Sequence, residues 1–197
     1  ERLVNTTQVN YVDPLDRKQI LEADQELRHQ MNIITDFLRK YVPGYEHCTI
    51  KTGASTLGIR ESRRFSGKYV MNISDLREAR RFPDVVVHKA QFVVDIHNPV
   101  GGGQANGIAE YVDAYDIPWR SLVPQKMENL ILAGRCISGT HEAMASYRVM
   151  AIAMAIGEAA GIGAALAIDH DVTPENLDVK YIQKALMDKG AVLFDEK

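Results

Sequence analysis

Between Pro14 and about Tyr41, apolar residues fall at Ile20, Leu27, Met31, Ile34 and Leu38, spacings of seven, four, three and four. Those intervals place all five on one face of a helix and predict an amphipathic helix over this stretch. Asp13-Pro14 supplies its start, because proline is tolerated in a first turn, and Pro43-Gly44 its stop. From Cys48 to Met71 the pattern shortens to a strand-like one, through Thr49, Ile50, Thr56, Leu57, Ile59 and then Tyr69-Val70-Met71. With a turn at Ser66-Gly67, it predicts a β-hairpin.

Ser74-Asp75-Leu76 opens a short polar helix that should run to about Arg81. Val85 to Val87, Gln91 to Ile96 and Ile108 to Tyr115 read as strands, and the prolines make Ile117 to Pro124 extended rather than helical. Leu130 to Ala133 is a short, wholly apolar run closed by Gly134, the pattern of a buried strand. A long helix from about Glu142 to Ile168 and a last one from about Pro174 to Lys189 complete the order. The stretch Val149 to Ile168 is long enough to span a bilayer. Its Ala and Gly content and the interruption at Glu158 favour a closely packed core helix instead, with Gly157 and Gly161 allowing near approach of another backbone.

Composition narrows the class. The chain has 197 residues, 46% hydrophobic and 25% charged, so it can bury a real core and is neither disordered nor fibrous. Net charge is −3, and Lys and Arg are dispersed rather than gathered in a stripe, which argues against a nucleic-acid surface and for a small-molecule ligand. Cys48 and Cys136 stand far apart without ligand spacing, so no metal site and no disulfide framework is expected. The first residue is Glu1, and no basic-then-apolar leader follows it. The true start is therefore expected upstream, and the compartment is not legible.

The chemistry concentrates at the loop Gly134-Arg-Cys-Ile-Ser-Gly-Thr140, between the apolar run and the long helix. A helix that starts just after a strand offers unpaired N–H groups and the positive end of its dipole, which suit a phosphate or an electron-rich carbonyl. Gly134 and Gly139 permit close approach, and Ser138 or Thr140 can cap the helix. An ordinary capped helix in an α/β core accounts for the same spacing.

In order along the chain, Ile117-Pro-Trp-Arg-Ser-Leu-Val-Pro124, Glu128-Asn-Leu-Ile-Leu-Ala-Gly-Arg-Cys-Ile-Ser138, Ser146-Tyr-Arg-Val-Met150 and Gly157-Glu-Ala-Ala-Gly161 resemble the C-terminal signature of the FAD-dependent oxidoreductase family. Gly58-Ile-Arg-Glu-Ser-Arg-Arg64 and Asp95-Ile-His97 are similar to upstream segments of that family. The resemblance implies an α/β or α+β fold. Residues 1–124 would be a β-rich, substrate-domain-like portion with flanking helices, and residues 125–197 the C-terminal part of the FAD-binding domain. It implies FAD as the cofactor of the intact protein. It also places Gly134, Arg135, Cys136, Ser138 and Thr140 along the ribityl-phosphate part of FAD, the following helix pointing at the flavin pyrimidine, and Arg148 on the wall beside it. An arginine salt bridge at the core edge is the alternative role for Arg148.

If 60–64 is a strand, Arg60 and Arg64 share one side and Glu61 and Arg63 the other. Arg60 is then a candidate to bind an anionic or polyhydroxylated substrate, with cross-strand ion pairing as the competing role. His97, after an apolar strand and near Asp95, is the candidate general base for hydride removal from a carbinol, or a structural histidine; His141 is the second candidate. The cluster Gly101-Gly-Gly-Gln-Ala-Asn-Gly107 has the wrong spacing and no following helix for a dinucleotide fingerprint, and GxGxxG occurs nowhere in the chain. The expectation is therefore an FAD-dependent oxidoreductase portion that alone binds FAD weakly or not at all. The alternative is a non-catalytic packing or oligomerisation domain of the same descent, with a homo-oligomer as its consequence.

Overall fold

The computed structural model of the protein describes residues 1–96 and 109–195 and divides the chain into two compact units, residues 1–62 and 63–197.

In the first unit, helix α1 spans Arg17–Tyr41. Asp16 caps it by accepting from the Lys18 and Gln19 N–H groups, and Val42 ends it by donating to the Leu38 carbonyl. Gly44 follows in the left-handed region at φ +87°. The predicted face is the sheltered one: Ile20, Leu27, Met31, Ile34 and Leu38 are all half-buried, and Ala23 is buried. Gly53 lies against Met31, where a Cβ on Gly53 would sit 2.8 Å from the Met31 methyl carbon. Arg39 ties the segment after the helix back to it through the Cys48 carbonyl at 2.9 Å.

The hairpin expected over Cys48–Met71 does not form. Residues 48–62 are irregular, and 63–71 bond to distant chain rather than to their neighbours. Phe65 donates to the Cys136 carbonyl, Lys68 to Val123, Tyr69 to Arg120 and Met71 to Ser138, while Thr140 donates to Met71. Every backbone N–H must find an acceptor, and these groups find theirs on segments the local pattern cannot reveal. Because 60–64 is not a strand and the unit boundary falls within it, the alternation expected of Arg60, Glu61, Arg63 and Arg64 does not arise.

In the second unit, α2 spans Ile73–Arg77, shorter than the helix expected to reach Arg81. It opens with a capping box in which the Asn72 side chain accepts from Ser74 and the buried Asp75 carboxylate accepts the Asn72 N–H. The β1 strand, Val85–Ala90, pairs antiparallel with β2, Tyr115–Pro118, through Val85–Pro118, Val87–Ile117 and Ala90–Tyr115. Residues 91–96 and 109–114 are not strands, and one bridge joins Val94 to Glu110. A single 3-10 turn at Trp119–Ser121 follows β2. Leu130 to Ala133 is half-buried and unpaired as a strand, because among the described residues no strand lies beside it; Leu132 makes one backbone bond, to the Leu122 carbonyl.

The long helix expected over Glu142–Ile168 is two: α3, His141–Tyr147, and α4, Met150–Asp169. The break is at Val149, whose extended backbone (φ −74°, ψ 153°) forms the start of α4. Helix α5 spans Val179–Asp188 and starts later than Pro174 because the Asp178 side chain caps it, accepting from Lys180. The elements enclose one core, in which Tyr115, Ile117, Leu122, Tyr147, Ile156 and Ile182 are almost fully buried. Helix α4 packs on β1, and Gly163 lets it lie close against the 3-10 turn after β2: a Cβ there would lie 2.4 Å from the Trp119 ring. This helix is long and apolar enough to cross a membrane by length and composition. Ile152, Ile156, Ala159, Gly163 and Ala167 face the core, whereas Met150, Met154, Gly157, Gly161, Ala164 and Ile168 are exposed.

Candidate functional site

The loop Gly134–Thr140 is held from beneath by bonds to three separate segments. Gly134 takes the left-handed conformation at φ +81°, a backbone state that glycine adopts without steric cost, and begins a 3-10 turn through Cys136. The Cys136 Sγ lies 3.3 Å from the Ala133 carbonyl. Ser138 is fully buried: its N–H donates to the Ser121 carbonyl at 2.9 Å, its Oγ accepts the Gly67 N–H at 2.9 Å, and its carbonyl accepts from Met71. The Thr140 hydroxyl oxygen accepts the Ala143 N–H at 3.3 Å and so caps α3. Tyr147, on the last turn of α3, donates its hydroxyl to the Ile137 carbonyl at 3.2 Å and fills the space over Gly139, where a Cβ would sit 2.5 Å from the phenolic oxygen.

Ser138 and Thr140 therefore hold the loop, while Gly134 and Arg135 form its outer face. Arg135 is exposed. Around Gly134 a Cβ would meet no atom within 4 Å, so a ligand can approach the backbone directly.

Beside this loop the fold gathers positive charge. The Arg64 guanidinium donates to the Gly139 carbonyl at 2.9 Å. Arg148 ends α3, and its Nη2 donates to the Asp95 carbonyl at 2.7 Å and pairs with the Asp95 carboxylate at 3.3 Å. Between the loop and Arg148, His141 opens α3. Partial desolvation lowers its pKa first, and the Arg64 and Arg148 charges lower it further, so the neutral imidazole is favoured. Sequence reasoning named Arg148 and His141 but missed the placing of Arg64 and Gly67 under the loop. Ser66-Gly67 carries the local pattern of a hairpin turn, and nothing local signals that the Gly67 N–H donates to Ser138.

The sequence matches the family model described as FAD dependent oxidoreductase over residues 1–186. The chain belongs to that family. No curated protein and no solved structure matches it. Membership agrees with the expected cofactor class and with the mixed α and β structure, and FAD is the family's cofactor.

Against a flavin, the loop offers open backbone at Gly134 and an exposed side chain at Arg135, with Arg64 beside it on the Gly139 carbonyl and Arg148 ion-paired with Asp95. The residues present fit the flavin half of FAD in this respect. For the adenine half there is no GxGxxG in the sequence to cradle a pyrophosphate. Arg60 lies in the first unit, while Arg63, Arg64 and Arg148 lie in the second. His97 and the cluster Gly101–Gly107 lie outside the described residues. Among the described residues, no three His, Cys, Asp or Glu side chains gather in a way that could hold a metal ion.

Proposed function

We propose that the second unit supplies the flavin-side half of an FAD-dependent oxidoreductase site, serving hydride transfer between a small anionic or polyhydroxylated substrate and flavin. Bound FAD would provide the hydride acceptor or donor; the chain provides position and charge. Gly134 and Arg135 would lie along the ribityl-phosphate. Cys136, Ser138 and Thr140 would keep that backbone fixed, so that no reorganisation is needed as charge develops. Arg64 and Arg148 would stabilise negative charge near the start of α3. His141, kept neutral first by partial burial and then by the same two cations, would accept a proton from a substrate hydroxyl, sharing or taking the role expected of His97. The observation that carries this reading is that Arg64 and His141 lie beside a loop hydrogen-bonded to three other segments and open to a ligand at Gly134.

A second feature bears on the form in which the site works. The exposed face of α4 runs from Met150 and Met154 through Gly157, Gly161 and Ala164 to Ile168, and it continues into a cavity of about 250 Å³ lined by Leu130, Ile131, Ala164 and Val172 among others. An apolar face of this kind, next to an extended run without strand neighbours among the described residues, suits the remaining half of a two-part cofactor domain, which would bring the pyrophosphate loop. The competing reading, a non-catalytic packing domain, uses the same face for self-association.

Titrating the pure chain with FAD and following flavin fluorescence tests the proposal. Expected is weak quenching, with half-saturation above roughly 10 µM, corresponding to binding weaker than ~7 kcal/mol. Arg135→Ala and Arg148→Met should abolish it. Tight binding would refute the expectation that a sequence without GxGxxG holds FAD weakly, and weak binding unaffected by both substitutions would refute the placement of the flavin. Light scattering separates the packing reading, which a clean monomer would count against.

A further inference from the structure

The open end of the loop is fastened through Ile137. Gly134 and Arg135 stand at its outer face, and the turn that presents them closes where the Ile137 N–H reaches the Gly134 carbonyl at 3.5 Å, the long limit of a hydrogen bond. So weak a closure does not by itself fix Gly134. The Ile137 side chain is fully buried, and its carbonyl accepts the Tyr147 hydroxyl at 3.2 Å. Tyr147 is fully buried too, on the last turn of α3. The same phenol meets the loop a second time at Gly139, where a Cβ would lie 2.5 Å from its oxygen and 3.0 and 3.1 Å from Cε1 and Cζ of its ring. Gly139 is not in the left-handed region, so it needs room rather than backbone freedom. Neither side can give way. The Met71 N–H donates to the Ser138 carbonyl at 3.1 Å, the Thr140 N–H to the Met71 carbonyl at 2.8 Å, and the Arg64 guanidinium to the Gly139 carbonyl at 2.9 Å. The Tyr147 ring is enclosed in the core and held at its hydroxyl.

We infer that Tyr147 is the positioning residue of this loop: its hydroxyl, through the Ile137 carbonyl, sets where Gly134 and Arg135 stand, and its fit against Gly139 fixes the spacing between α3 and the loop. The consequence for FAD rests on the placement of the flavin proposed above. Loss of the hydroxyl takes that donor from a buried carbonyl, and the turn closed by Ile137 is then free to shift. Tyr115 supplies the comparison, because it is equally buried and its hydroxyl lies 2.8 Å from the Ser146 Oγ instead of on the loop. Removing either hydroxyl deletes one buried hydrogen bond from the same core, but only the one on Tyr147 holds Ile137.

Cys136 lies within the turn and is half-buried, so the rate at which its thiol is alkylated reports local opening there. The whole chain carrying Cys48→Ser leaves Cys136 as the one thiol. In that background Tyr147→Phe should speed alkylation about three- to tenfold, the worth of one hydrogen bond. Tyr115→Phe should lower the urea midpoint by a similar amount and leave the alkylation rate at its starting value. Gly139→Ala should also speed alkylation. Combined with Tyr147→Phe it should give less than the product of the two factors, because the oxygen 2.5 Å from the new methyl is gone. FAD affinity, followed by flavin fluorescence, should fall with Tyr147→Phe and not with Tyr115→Phe. Unchanged alkylation in Tyr147→Phe, an equal change in Tyr115→Phe, or factors that simply multiply in the double variant would each overturn the inference. Faster alkylation with unaltered FAD affinity would uphold Tyr147 as the positioning residue and count against the flavin placement.

Discussion

Three glycines of α4 are open to the same substitution, and the structure assigns them opposite signs. At Gly163 a Cβ would lie 2.4, 2.9 and 3.1 Å from three carbons of the Trp119 ring. That ring cannot step aside easily: Trp119 is 4% exposed, and its Nε1 donates to the Pro174 carbonyl at 3.3 Å. Gly163→Ala gains about 1 kcal/mol of helix propensity. Against this stand roughly 1–3 kcal/mol of overpacking and about 1 kcal/mol if the Trp119 hydrogen bond is lost. With that hydrogen bond lost, the net effect is a destabilisation of about 1–3 kcal/mol. At Gly157 and Gly161 a Cβ would meet nothing within 4 Å, so the same change should stabilise by about 0.5–1 kcal/mol each. Trp119 is the only tryptophan, so its fluorescence during urea unfolding reports on the contact itself. With a slope of about 2 kcal/mol/M, Gly163→Ala should lower the midpoint by roughly 0.5–1.5 M while Gly157→Ala raises it. If Gly163→Ala raised the midpoint like its neighbours, the packing of α4 on Trp119 would be wrong.

Alkaline unfolding should follow the buried tyrosines. Burial pushes the Tyr115 phenol up to about 12 and that of Tyr147 higher still, so both stay neutral in the fold and ionise readily only when it opens. A folded pKa above the ordinary 10.0 means that their contribution is complete below pH 10 and is lost as pH rises toward 12. Circular dichroism and tyrosinate absorbance should therefore change together in that window, and Tyr115→Phe should shift the loss upward. Arg148→Met should raise the His141 midpoint in an NMR titration, since one of the cations that depress it is gone. His141 is depressed, so its contribution is present above 6.5 and lost as pH falls, and the variant should lose less stability in acid.

Features that depend on neighbours within a turn or two are legible along the chain alone. The face of α1 from Ile20 to Leu38, its stop at Pro43-Gly44, the strand at Val85–Val87 and the turn at Gly134 follow from side-chain period and from residues that fix or free the backbone. Family membership was legible for a related reason, as the segments from Ile117 to Gly161 carry their signature in order. The tertiary structure decided where backbone groups without a local partner went. It sent Phe65 to Met71 to the Cys136–Ser138 and Arg120–Val123 segments instead of to a hairpin, and it turned Ser138 inward onto Gly67. It broke the predicted helix at Val149, and it brought Arg64 and Arg148 close enough to His141 for their charges to lower its pKa. Periodicity records which face of an element is apolar. Only the assembled fold records which distant donor, acceptor or charge that face meets, because each buried polar group must be satisfied wherever the chain places it.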